Sequence, residues 1–148
     1  SLAEQIKEHT VRREYHTVVI GGLKEEHGTI SAPIGRHKTD RKKMAVTELN
    51  SREAVTHYSV IERYQGFTYA SCLLETGRTH QIRVHMSHIG HPVVGDAVYG
   101  ARDKLGLEGQ CLHSKNVTFT HPRTGETMYF ETELPEYFSE ILSKLRRV

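Results

Sequence analysis

Residues 74–100 read LETGRTHQIRVHMSHIGHPVVGDAVYG, and this stretch sets the order of the elements around it. A turn at Gly77 separates a strand pattern from a helical pattern. Gly90 and Pro92 close the helical segment, because neither residue continues a helix well. The sequence therefore predicts a strand that ends before Gly77 and a central helix that begins near Arg78.

The start of this predicted helix has the features of an anion site. Arg78 and Thr79 would lie where backbone N–H groups are free and the helix dipole favours negative charge. An arginine can add a two-pronged contact to a carboxylate or a phosphate. The alternative is an amphipathic helix with a solvated basic face, and its apolar stripe would be Ile82, Met86 and Ile89.

Strand patterns lie on both sides of the central helix, and most of them pair as hairpins. The predicted strands are residues 13–20, 54–64, 67–75, 113–120 and 127–132. Short helices are predicted at residues 2–9 and after Pro135. The pattern indicates one domain over residues 1–148, of α+β class, with a mixed, largely antiparallel sheet and a few flanking helices.

The bulk composition excludes several classes of protein. No apolar run approaches the ~20 residues needed to cross a bilayer, so we expect no membrane partner. Residues 1–10 do not resemble a signal peptide. Cys72 and Cys111 have neither metal-site spacing nor disulfide density, which favours reduced thiols in a cytoplasmic protein.

Residues 35–43, GRHKTDRKK, form a local basic segment in a chain whose net charge is only +2. Such charge runs are usually solvated surface, but a mobile basic loop can also bind a phosphate backbone. We predict that five of its side chains contact such a phosphate backbone: Arg36, Lys38, Arg41, Lys42 and Lys43.

Two further groups of residues have ordinary alternatives. His85, His88 and His91 are three residues apart, whereas helical zinc sites prefer a spacing of four, which disfavours a metal-dependent hydrolase. Tyr15 lies on the strand at residues 13–20, and a tyrosine in a strand is usually packed with its hydroxyl bonded.

Several segments together resemble the RluA-type pseudouridine synthases. The long match is LETGRTHQIRVH at residues 74–85, followed by GHPVVGD at residues 90–96 and Tyr99-Gly100. REYHTVV at residues 13–19 resembles the tyrosine-bearing strand of that family. PIGRH at residues 33–37, with DRKKM after it, resembles the family's basic connecting segment.

The resemblance implies isomerisation of uridine to pseudouridine in ribosomal or transfer RNA, with no metal and no cofactor. Enzymes of this type flip the uridine out of the RNA. Tyr15 matches the ring that stacks on the flipped base, and Arg78 matches the arginine that pairs with the catalytic aspartate. We expect His80 and Arg83 to face the RNA.

The family's H-R-L-D motif, which carries that aspartate, does not occur in this sequence. We therefore expect the C-terminal portion of a catalytic domain, inactive without an N-terminal portion that becomes its partner. Exposed sheet edges would then favour self-association. The alternative is a non-catalytic RNA-binding module that keeps the same fold.

Overall fold

The computed structural model describes residues 12–40, 42–100 and 110–146, and most of its strands form one six-stranded sheet. The strands are β1 (Arg12–Ile20), β2 (His27–Ser31), β3 (Ile34–Arg36), β4 (Met44–Val46), β5 (Ser51–Arg52), β6 (Val55–Tyr64), β7 (Phe67–Leu74), β8 (Leu112–Thr120) and β9 (Thr127–Glu131). The helices are α1 (Gln81–His88) and α2 (Glu136–Arg146).

Strand order in the large sheet is β2-β6-β7-β1-β8-β9, and a small sheet has the order β4-β3-β5. Every strand pairing among the described residues is antiparallel. Hairpins join β6 to β7 and β8 to β9, as the turn residues predicted. The predicted α+β class with a largely antiparallel sheet is confirmed.

Each helix packs on its own face of the large sheet, because successive residues of β1 point to opposite faces. Val19 lies in the core cluster that contains Ile82 and Met86 of α1. Val18 lies in the other cluster, against Phe138 and its neighbours on α2. The apolar stripe predicted for the central helix is therefore a packing face, and it seats α1 beside β1.

The helix α1 begins at Gln81, so the prediction that Arg78 and Thr79 start it is wrong. His80 has a left-handed backbone, with φ 56° and ψ 25°, which a right-handed helix cannot include. Arg78 therefore lies in a turn before the helix.

A second correction concerns residues 28–43, where none of the predicted strands lies. This region contains most of β2 and all of β3. Gly28 pairs with Tyr58 of β6, and a Cβ at Gly28 would lie 2.3 Å from the Tyr58 ring. Glycine lowers strand propensity, but position 28 requires it because the Tyr58 ring leaves no room for a Cβ. The predicted helix at residues 2–9 lies outside the described residues.

Both cysteines are buried free thiols, and burial raises the pKa of each to about 12. Neither thiol is therefore a reactive nucleophile near neutral pH. Neither of the two described helices combines the length and the apolarity that crossing a bilayer requires.

Candidate active site

A cavity of about 270 Å³ opens beside β1, where the end of β7 meets α1. Tyr15 lines it from the middle of β1, and Arg78 lines it from the turn after β7. Leu74 and Ile82 add apolar walls. The two residues predicted to be catalytic, far apart in sequence, thus border one space that combines an aromatic ring, apolar surface and a cation.

Arg78 is held in position by its own backbone and by one side-chain nitrogen. Its N–H donates to Oε1 of Gln81 at 3.0 Å, and its Nε donates to the carbonyl of Glu53 at 2.7 Å. Among the described residues, these two bonds leave the terminal Nη groups of the guanidinium for a ligand. That arrangement suits a two-pronged contact with a carboxylate.

Gln81 is the centre of a buried hydrogen-bond network beneath Arg78. Its Oε1 also accepts the Thr76 hydroxyl at 2.6 Å. Its Nε2 donates to the carbonyl of Val55 and to Oγ1 of Thr56, both at 2.9 Å. Every polar group of the glutamine amide is therefore used, which fixes the turn that carries Arg78.

The network continues to His85, which lies fully buried on α1. The Thr56 hydroxyl donates to Nδ1 of His85 at 2.8 Å, and Nε2–H of His85 donates to the carbonyl of Ala32 at 2.9 Å. Burial lowers the pKa of His85, so the neutral ring is the stable form. This histidine ties α1 to β6 and does not contact the cavity.

Arg83 lines the cavity, but its charge is already matched. Its Nε and Nη2 donate to the two carboxylate oxygens of Asp96 at 2.8 and 3.0 Å. Asp96 is fully buried and also accepts the N–H groups of Val98 and Tyr99. The hydrogen bond from Arg83 to Asp96 raises the pKa of the arginine further. Arg83 is thus part of the cavity wall, and its predicted contact with RNA stays a prediction.

His80 borders the cavity and is oriented by Tyr99. The Tyr99 oxygen accepts the N–H of Met44 at 3.0 Å and lies 2.7 Å from Nδ1 of His80. Among the described residues the Tyr99 hydroxyl hydrogen has no other acceptor, so it is donated to Nδ1. Burial, followed by the charge of Arg83, lowers the pKa of His80. The neutral ring then carries its proton on Nε2, which is left as a hydrogen-bond donor.

The basic segment lies next to this tyrosine but does not line the cavity. Lys43 places its Nζ 5.8 Å from the centroid of the Tyr99 ring. Arg36 and Lys38 line a separate cleft of about 660 Å³ beside the small sheet. Lys42 is exposed, and Arg41 lies outside the described residues. The structure therefore brings Tyr15, Arg78, His80 and Arg83 to one cavity, which the described residues of the basic segment do not line.

Sequence reasoning missed the roles of Asp96 and Tyr99. Asp96 entered the sequence analysis only as the last residue of GHPVVGD, and nothing in its spacing from Arg83 reveals the ion pair between them. It also missed Arg13, which lines the cavity two residues before Tyr15. The alternation of β1, which puts both side chains on one face, was the available signal.

The three remaining histidines of the central stretch do not converge on a common point. His91 donates from Nδ1 to the carbonyl of Ile20 at 2.9 Å, and His88 is exposed. In the part of the chain that the structure describes, no group of three or more His, Cys, Asp or Glu side chains could hold a metal ion.

Three comparisons agree with one another. The sequence model of the family described as RNA pseudouridylate synthase matches residues 1–88. An uncharacterized RNA pseudouridine synthase of Bacillus subtilis, YlyB, is 51% identical over 147 residues, covering 99% of this chain and 48% of that protein. Ribosomal large subunit pseudouridine synthase D of Pseudomonas aeruginosa is 45% identical over 159 residues, covering 99% and 49%. The chain spans about half the length of these relatives.

A solved structure has the same fold. Human RNA Pseudouridylate Synthase Domain Containing 1 superposes with a TM-score of 0.78 at 28% identity, over 100% of this chain and 71% of the human chain. The fold match thus extends beyond the 88 residues that the family's sequence model covers.

Proposed function

The chain belongs to the RNA pseudouridylate synthase family, and on that premise we propose that it supplies the tyrosine and arginine of a site that converts uridine in RNA to pseudouridine. The observation that carries the proposal is that Tyr15 and Arg78 line one cavity. The cavity has the aromatic and apolar walls that a flat base needs, beside a guanidinium that suits a carboxylate.

The proposed chemistry leaves the atomic composition of the uridine unchanged. The C1′–N1 bond breaks, a C1′–C5 bond forms, and the proton on C5 is lost to solvent while N1 gains one. Tyr15 stacks on the flipped base, with its hydroxyl near the C5 proton. Arg78 holds an aspartate ionised and oriented, because a nearby guanidinium favours the charged form of a carboxyl group. No step requires a metal or a cofactor.

We propose that this aspartate comes from outside the 148 residues and that these residues alone do not isomerise uridine. Two observations support this. The sequence contains no H-R-L-D motif, and no acidic side chain is among the described residues that line the cavity. The chain would then be the C-terminal portion of a catalytic domain whose N-terminal portion is its natural partner.

The names of the relatives indicate which class of RNA is modified. Several are named as pseudouridine synthases of the large ribosomal subunit, which favours ribosomal over transfer RNA for this chain. The basic segment at residues 35–43 would contact the phosphate backbone near the modified uridine. A cytoplasmic location is part of the same proposal.

Tritium release from RNA that contains 5-tritiated uridine tests the proposal. The chain alone is expected to release no tritium above background. Adding the part of the Bacillus subtilis relative that lies outside the matched region should restore release. Release by the chain alone would contradict the assignment of the carboxylate to an outside segment.

The second candidate is a non-catalytic RNA-binding module of the same fold, and the lack of an acidic cavity residue among the described residues favours it. The same experiment separates the two. A binding module would bind the RNA but stay silent after the complementing portion has been added, whereas a synthase would release tritium.

A further inference from the structure

Three arginines line the cavity, and only two of them have a role in the site so far. Arg83 is neutralised by Asp96, and Arg78 is assigned to the aspartate. Arg13 remains. Among the described residues it forms no ion pair, and the described lining of the cavity contains no carboxylate that could balance it. An incoming aspartate would pair with the guanidinium of Arg78, and the positive charge of Arg13 would still lack a partner.

Arg13 also has a polar atom that is not satisfied. Its Nε is buried and has no hydrogen-bond partner among the described residues. Buried N–H groups without a partner are rare, and each calls for an explanation such as a bound ligand. Arg13 lies on the same face of β1 as Tyr15 and lines the cavity, so a ligand in the cavity would meet the exposed part of its guanidinium.

Gly77 makes room for the Arg13 guanidinium. A Cβ at position 77 would lie 2.3 Å from Nη2 and 2.9 Å from Nη1 of Arg13. Gly77 is not among the glycines with positive φ, so its backbone does not require glycine. The glycine at position 77 thus serves the placement of Arg13.

We propose that Arg13 binds the RNA phosphate next to the uridine whose base lies on Tyr15. A guanidinium fork matches the geometry of phosphate oxygens and keeps its charge at every working pH. Residues two apart on a strand are separated by about 6.7 Å, a span that one nucleotide bridges from base to phosphate. Arg13 and Tyr15 would therefore hold the two ends of the same nucleotide. This inference rests on the proposed function, since it takes RNA as the ligand.

The test measures how affinity for RNA depends on salt, using the 148-residue chain and a labelled single-stranded oligoadenylate that contains one uridine. Losing one phosphate contact should make the slope of log affinity against log salt shallower by about 0.7 in Arg13→Gln. Between 50 and 200 mM salt the wild type should then lose about 3-fold more affinity than the variant. Arg12→Gln is the matched control, because Arg12 is exposed and adjacent on β1. Its slope should be affected less than that of Arg13→Gln.

A second RNA identifies the phosphate, with the phosphates on either side of the uridine replaced in turn by neutral methylphosphonates. One replacement should weaken binding by the wild type and have little effect on Arg13→Gln. Gly77→Ala should behave like Arg13→Gln, since the added methyl group displaces the guanidinium. Urea unfolding curves of both variants confirm that each is folded.

An unchanged salt slope in Arg13→Gln, or equal sensitivity of wild type and variant to both methylphosphonates, would overturn the assignment. If Arg13→Gln lowers tritium release by the complemented chain but leaves the salt slope unchanged, Arg13 serves the carboxylate, which overturns the assignment as well. Absence of RNA binding by the wild type would also overturn the assignment, whereas the proposed function fails only if the complemented chain releases no tritium. The failures are thus distinguishable.

Discussion

Replacing Asp96 with asparagine removes the negative charge behind the cavity while keeping the shape of the side chain. In the native chain Asp96 is fully buried, and the side chain of Arg83 is 11% exposed. Asparagine keeps one oxygen acceptor, but its NH2 group is a donor and cannot accept a hydrogen bond from the Arg83 guanidinium. One of the two bonds at 2.8 and 3.0 Å is therefore lost, and a nearly buried cation is left without its partner.

The expected loss of unfolding free energy is about 3–5 kcal/mol, the usual cost of breaking a buried pair by removing one partner. The lost charge-assisted bond accounts for about 1.5–3 kcal/mol of it, and the uncompensated charge for the rest. Because domains are commonly stable by only about 5–15 kcal/mol, a large share of the total stability is at stake.

Urea denaturation followed by circular dichroism measures this loss as a lower midpoint with an unchanged m-value. Glu62→Gln is the matched control, because Arg146 donates to Glu62 at the same 2.8 Å. Those side chains are 54% and 34% exposed, so solvent already screens their charges. The control should have a much smaller effect than Asp96→Asn. Equal effects of the two substitutions would refute the reasoning that burial gives the Arg83 pair its importance.

Three further outcomes are expected. The folded-state pKa of His85 lies below its unfolded value near 6.5, so stability should be complete above that pH and fall as the pH drops towards the folded pKa. Urea midpoints at pH 7.5 and 5.5 should differ less in His85→Gln, and an identical difference would exclude His85 as a source. Replacing all five cationic residues of the basic segment with glutamine should make the slope of log affinity for RNA against log salt shallower by about 3.5. The residues replaced are Arg36, Lys38, Arg41, Lys42 and Lys43. An unchanged slope would show that the segment does not contact RNA phosphates. Edge strand β9 exposes 55% of Tyr129 and 53% of Phe130, so the chain should self-associate and Phe130→Lys should shift it towards monomer. A wild type that stays monomeric in light scattering at all concentrations would contradict this.

The sheet could be predicted from the sequence because its signals are local. Alternating side chains mark β6 and β7, and the Gln65-Gly66 turn between them fixes their pairing. The short strand β2 could not be predicted in this way. Its glycine lowers strand propensity, and only the ring of Tyr58, distant in sequence, explains why glycine is tolerated there.

In the candidate site, too, the residues with local sequence signals could be predicted and the contacts that depend on tertiary packing could not. Arg78 and Tyr15 stand in recognisable motifs, and both line the cavity. The contacts of Asp96 with Arg83, and of Tyr99 with His80, depend on how α1 packs against the segment that follows it. No spacing rule reveals them. The helix boundary was misplaced because His80 adopts a left-handed backbone, which is uncommon for a residue other than glycine and which its sequence neighbourhood does not signal.

The central claim is that Arg78 holds a catalytic aspartate that another segment supplies. Tritium release from RNA with 5-tritiated uridine tests it most directly, with the chain complemented by the unmatched part of the Bacillus subtilis relative. The complemented wild type should release tritium, Arg78→Ala should release almost none, and Arg12→Ala should retain the wild-type rate. Equal rates for Arg78→Ala and the wild type would contradict the claim.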